Sequence, residues 1–168
     1  SNELYRMSAA EAVSRLKKGE VSPLELVEAS AARIEATDGP LNAMPTRCVD
    51  RAREHAERIM ADGVGKRDDA AWLAGLPISV KDLVPVKGVR TTWGSPLFAD
   101  HIPPQSDIMV ERLEANGAIV MGKSNTPEFG AGANTFNEVF GKTRNPWSTA
   151  MTCGGSSGGA AVGLATGQ

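Results

Sequence analysis

Two adjacent serines, Ser156 and Ser157, stand between the glycine pairs Gly154-Gly155 and Gly158-Gly159. A hydroxyl can donate, accept or attack. Glycine lets the backbone enter conformations that other residues avoid and come close to a neighbour. The run that follows, Ala160-Ala161-Val162-Gly163-Leu164-Ala165, reads as a tightly packed helix. Both serines therefore fall near a helix N-terminus, where backbone N–H groups favour developing negative charge. A flexible linker would not run straight into an apolar helix. The other residue with chemistry to offer is Lys81, at the end of the apolar run Leu76 to Val80. A lysine acts as a base only when neutral, and its ordinary pKa of about 10.4 forbids that at pH 7. Burial disfavours the ammonium form and lowers the pKa. A strand end offers such burial, although the same place suits a lysine that reaches solvent or pairs with Asp82. A serine beside a neutral lysine can pass it a proton taken from a nucleophile.

Three stretches set these residues in a pattern. Gly75-Leu76-Pro77-Ile78-Ser79-Val80-Lys81-Asp82 surrounds the lysine, and Gly122-Lys123-Ser124-Asn125-Thr126-Pro127-Glu128-Phe129 follows it. Phe140-Gly141-Lys142-Thr143-Arg144-Asn145-Pro146-Trp147 then leads into Gly154 to Gly159. In this order, over roughly residues 70 to 168, the chain resembles the amidase signature family: lysine strand, connecting segment and glycine/serine-rich signature. Residues before that agree only in being helical.

The resemblance implies a serine–serine–lysine triad that hydrolyses carboxylic amides through an acyl-enzyme, with a small-molecule amide as substrate and neither metal nor organic cofactor. The lysine maps to Lys81. The bridging serine, which follows a cis peptide bond, maps to Ser156. Gly130, Gly132 and Ser157 would line the substrate pocket. The nucleophilic serine belongs to a further glycine-rich segment, roughly two dozen residues on. That segment falls past Gln168, together with the oxyanion-hole donors. The expectation is thus the N-terminal part of an amidase, truncated before its nucleophile and inactive alone, with Lys81 and Ser156 within hydrogen-bonding reach. Two other readings stay open. One is a glutamine-hydrolysing subunit of a tRNA amidotransferase-type complex. The other is a non-catalytic module that binds a partner through an uncovered sheet face.

Rival motifs fare worse. Gly117 to Ser124 has the letters of a phosphate-binding loop, but its apolar middle, Ala118 to Met121, is itself a strand, and Pro127 blocks the helix that such a loop must open. Gly155-Ser156-Ser157-Gly158-Gly159 has the letters of a nucleophile elbow, yet His55 and His101 both precede it, whereas that fold places its histidine after the serine. Two histidines and Cys48 and Cys153 show no metal-ligand spacing.

Composition sets the outer bounds. With 168 residues, 41% hydrophobic and 23% charged, the chain fits a soluble globular domain. A formal net charge of -2 without a basic run argues against a nucleic-acid partner. Neither a membrane-spanning run nor a signal peptide is apparent. Two distant cysteines read as free thiols of a cytoplasmic protein.

The elements that must position Lys81 and the serines divide in two. Residues 1–68 form a helical N-terminal segment. Capping boxes at Ser8-Ala9-Ala10-Glu11 and Ser22-Pro23-Leu24-Glu25 open two helices, the first ending at Gly19 and the second near Thr37. Asp38-Gly39-Pro40 reads as a turn, Val49 to Met60 as a third helix, Asp62 to Asp69 as a polar loop. Residues 69–168 are the N-terminal, incomplete part of an α/β/α sandwich. It has strands at Leu76 to Val80 and Ala118 to Met121, a punctuated loop from Val84 to Pro104, a helix from Asp107 to Asn116 and a short helix capped by Thr126-Pro127-Glu128. Gly130 to Asn134 reads as a close-approach loop. An incomplete sheet exposes an edge, so self-association is expected.

Overall fold

The computed structural model describes residues 3–67 and 69–168. Ser1, Asn2 and Asp68, the last in the expected polar loop, lie outside the described residues. Helix α1 (Ala9–Lys18) starts where Ser8 Oγ accepts the Glu11 N–H at 3.2 Å and stops at Gly19, φ 70°. Its box is half formed, because the Glu11 carboxylate accepts from Arg15 instead. Helix α2 (Pro23–Leu41) has the full box: Ser22 Oγ accepts the Glu25 N–H, and the Glu25 carboxylate accepts the Ser22 N–H at 2.8 Å.

The end of α2 corrects the sequence reading. Asp38-Gly39-Pro40 is not a turn but the last turn of the helix. A proline there gives up one N–H bond rather than breaking a long run. The buried Asp38 carboxylate accepts the N–H groups of Ala43 at 2.7 Å and Met44 at 3.2 Å, which fastens the chain leaving the helix. Helix α3 (Val49–Asp62) buries Ala52, Ala56 and Ile59 at helical spacing.

Strands β1 (Thr46–Arg47), β2 (Pro77–Lys81) and β3 (Ile119–Ser124) form one sheet in the order β1-β3-β2, with β3 parallel to β2 and antiparallel to β1. Helix α4 (Ile108–Ala115), capped by the Asp107 carboxylate, lies between β2 and β3 in the chain. β3 is buried at every position, as a central strand covered on both faces must be. On one face Ile119 and Met121 pack among Leu16, Val27, Ile34, Ala52 and Ala56 of α1–α3. On the other, Val80 and Val120 pack among Val86, Val89 and Val110. Helix α5 (Gly158–Thr166) sets Val162 against Leu41 and Ala43. The fold is α/β, with helices on both faces of the sheet.

One irregularity matters for the site. Ile78 pairs with Val120 but Ser79 with Gly122, so Met121 is the extra residue of a bulge. Side chains alternate between faces along a strand. The bulge resets that alternation and turns Lys123 to the face of Val80, its partner in register, while Ser124 shares the face of Lys81.

Beyond β3 the expected short helix is a single 3-10 turn, Glu128–Gly130, without a side-chain cap and interrupted by Phe129 at φ 49°. Thr126-Pro127 opens no longer helix. Two hairpins follow, β4 (Phe136–Asn137) with β5 (Gly141–Lys142) and β6 (Arg144–Asn145) with β7 (Ser148–Thr152). Buried Asn125 ties the first to the sheet, donating to Thr143 Oγ1 at 3.0 Å and accepting from Asn137 at 2.7 Å.

Candidate active site

Lys81 ends β2, and its side chain leaves the sheet toward the start of α5. Its Nζ donates to Ser156 Oγ at 2.8 Å and to Ser157 Oγ at 3.0 Å, across 75 and 76 positions of chain. The Gly155–Ser156 peptide bond is cis. Lys81 is half-buried, and desolvation pushes its pKa down from the ordinary lysine value. A neutral amine at this point keeps two protons and one lone pair. With Ser156 Oγ in reach of that lone pair, the pair can move a proton in either direction.

The serines are held from behind by close packing. A Cβ on Gly159 would lie 2.7 Å from the Ala43 carbonyl oxygen and 2.8 Å from that of Asn125; one on Gly158 would lie 2.6 Å from Cys153 Sγ. Only glycine lets the first turn of α5 sit this deep. Thr135, almost fully buried, closes the other side: its N–H and Oγ1 donate to the Gly154 carbonyl at 3.0 and 2.9 Å, and its Oγ1 accepts the Gly158 N–H at 2.9 Å. A hydroxyl that both donates and accepts locks the backbone on either side of the serine pair.

The other sequence-selected residues lie on the loop between. A Cβ on Gly130, φ 72°, would run into the Leu83 side chain, whereas one on Gly132, φ 125°, would come no nearer than 4.0 Å to Pro127 among the described residues. The same loop reaches the signature, with Ala133 and Asn134 backbone atoms 3.1 Å from where a Gly155 Cβ would stand. The letters of the phosphate loop, Gly117 to Ser124, fall largely on the buried strand β3. Asp82 does not pair with Lys81. It faces the opposite side, where Lys123 Nζ lies 3.2 Å from its Oδ1 and both side chains are fully buried.

Sequence reasoning passed over Lys123, Thr135 and Ser124. Ser124 Oγ is buried and makes no hydrogen bond among the described residues. Its alignment with Lys81 depends on the bulge, which no residue type announces; for Lys123, the uninterrupted run from Ala118 was a usable sign of a longer strand. Among the described residues, no group of three His, Cys, Asp or Glu side chains is placed to hold a metal, and no helix is long and apolar enough to cross a membrane.

Comparison with known proteins bears on the family and the fold. The family model described as Amidase matches residues 25–168. A glutamyl-tRNA(Gln) amidotransferase subunit of Anaeromyxobacter dehalogenans is 44% identical over 169 aligned residues, covering 100% of this chain and 34% of that relative. The chain thus spans about a third of the length of the curated relatives it matches. Among solved structures, a chain of the inhibitor-bound vestigial complex that reveals the origins of an s-triazine catabolic enzyme superposes with TM-score 0.88 at 37% identity, covering 96% of this chain and 35% of that one. A bacterial aryl acylamidase of the amidase signature enzymes follows at TM-score 0.85 and 33% identity, covering 94% of this chain and 33% of that one. A sequence match running from residue 25 to residue 168, on a backbone shared with such enzymes, places this chain in the amidase family.

Proposed function

We propose that this chain carries the lysine and the bridging serine of a Ser–cisSer–Lys amidase, an enzyme that hydrolyses carboxylic amides. The 2.8 Å contact between Lys81 Nζ and Ser156 Oγ carries the reading. Neutral Lys81 takes the proton of Ser156 as Ser156 takes that of an attacking serine hydroxyl. The serine oxygen bonds to the amide carbon, and the proton returns through Ser156 to the nitrogen as the C–N bond breaks. Water then releases the acyl group by the same relay. The attacking serine is assigned, by family resemblance, to a segment beyond residue 168. Ser157, Gly130 and Gly132 belong to the wall of the substrate pocket. Residues 1–68 supply the helical platform and residues 69–168 the chemistry. The free thiols Cys48 and Cys153 fit a reducing cytoplasm.

Two measurements test this. A serine-directed fluorophosphonate leaves the 168-residue chain unlabelled; stoichiometric labelling at Ser157 would make Ser157 the nucleophile and overturn the assignment. In a longer protein that carries these residues, Lys81→Ala and Ser156→Ala each lower amide hydrolysis by several orders of magnitude.

A second reading is favoured by the 44% identity to an amidotransferase subunit: the amide is that of glutamine, and the ammonia passes to a protein partner. Glutamine hydrolysis that rises on adding such a partner supports it, and turnover of simple aryl or alkyl amides without one supports the free amidase.

A further inference from the structure

Lys123 and Asp82 form a sealed ion pair that the proton relay does not use. Lys123 Nζ also donates to Thr91 Oγ1 at 2.8 Å. The Asp82 carboxylate accepts the Thr92 N–H at 3.1 Å and the Thr92 hydroxyl at 2.6 Å, and the Asp82 carbonyl accepts the Trp93 N–H at 3.1 Å. These bonds fasten the 91–93 segment to the end of β2, immediately after Lys81. The Asp82 N–H donates at 3.0 Å to Ser124, the strand partner of Lys81. The fastening has an electrostatic side effect. Asp82 follows Lys81 directly in the chain, and an uncompensated carboxylate at the end of β2 would favour the ammonium form of Lys81 over the amine that a base must be.

We propose that Lys123 is a charge-compensating, positioning residue for Lys81: its buried ammonium cancels the Asp82 carboxylate, so the end of β2 is fastened without a net negative charge beside the base. Other charges on the elements packed against β2 are spent elsewhere or lie at the surface: on α4, Glu114 pairs with Arg51, and Glu111 and Arg112 are exposed. α5 has none, and β3 has only Lys123. On α2, Glu28 pairs with Arg53 and Glu35 with Arg47, Glu25 holds Ser22, Arg33 donates to the Thr166 carbonyl and Asp38 accepts backbone N–H groups. The inference rests on Lys81 being the base, and extends that reading to what keeps the base neutral.

The test is the titration of Lys81 in the 168-residue chain, read as the pH dependence of its acetylation by dilute acetic anhydride. Mass spectrometry of the Lys81 peptide gives the rate, with the exposed Lys18 and Lys87 as surface references. Lys123→Gln keeps an N–H donor for Asp82 and Thr91 but drops the charge. Lys81 then titrates about one pH unit higher than in the wild type, and near pH 8 its acetylation slows about tenfold. The double variant Asp82→Asn/Lys123→Gln returns Lys81 to the wild-type value, and Asp82→Asn alone leaves it there or lowers it. A purely structural pair would move Lys81 in the same direction in both single variants and leave it displaced in the double. Lys81 unmoved in Lys123→Gln, or raised in Asp82→Asn, overturns the proposal. Should Lys123→Gln not fold, the Asp82→Asn result decides. A wild-type Lys81 that titrates with the surface lysines counts against the base itself, whereas a low value that Lys123→Gln does not shift counts against the compensation alone.

Discussion

Two lysines at one end of the same sheet are in opposite situations. Lys81 is half-buried and meets hydroxyls; Lys123 is sealed and meets a carboxylate. The first was legible in the sequence because a strand end and a recognisable block surround it. The second was not, since what Lys123 faces depends on a bulge whose presence no residue type declares. Away from the site, His55 has a consequence of its own. Its Nδ1 is buried without a hydrogen-bond partner among the described residues, and burial pushes the ring's pKa below the ordinary value. The unfolded chain takes up that proton near pH 6.5, the folded chain only at lower pH. In between, the unfolded state binds more protons, so acidification from neutrality costs stability. His55→Gln removes that dependence. Urea midpoints at about pH 7.5 and 5.5 check it: the wild type loses more on acidification than the variant, and parallel losses would mean that the buried ring does not resist protonation.

At the scale of elements, helices with capped starts and helical spacing were readable, and strands short enough to be defined only by their partners were not. β1 and β4 to β6 are two residues each, too short for any alternation to show. The end of α2 was misread because Gly39-Pro40 has turn chemistry, and the sequence does not show that the Asp38 carboxylate will fasten the Ala43 and Met44 N–H groups beyond the helix. α5 was readable from its small residues, and the structure shows what they are for. Two glycine substitutions separate packing from propensity. Gly159→Ala drives a methyl into the Ala43 and Asn125 backbones and should lower stability by about 1–3 kcal/mol. Gly163→Ala, in α5 with nothing nearer its Cβ position than Gln168 Cβ at 3.9 Å, should raise it by about 0.5–1 kcal/mol. Thermal melts of both variants check the pair, and a Gly159→Ala chain as stable as the wild type would mean that α5 is free to move off the sheet.

For the whole molecule, β2 is the outer strand of its sheet, and beside it lies a cavity of 420 Å³ lined by Leu4, Met7, Leu26, Leu76 and Leu164 among others. Leu164 is 85% exposed. An open strand edge next to apolar surface invites pairing, so the chain is expected to self-associate at micromolar concentration. Sedimentation velocity across a dilution series decides, and a monomer at every concentration refutes it. The bulge at Met121 has a reach beyond the strand that holds it. β3 behaves like a text with a reading frame: the bulge skips one letter, Met121, and every later residue is delivered to the layer opposite the one that unbroken alternation would give it. Smoothing the bulge into regular pairing, with Met121 kept in the ladder, would leave all the chemistry-bearing side chains in the chain, yet send Lys123 toward the serines and Ser124 into the sealed layer. Segments exchanged with relatives across this strand must therefore keep its phase as well as its residues, or the open and sealed sides trade their charges.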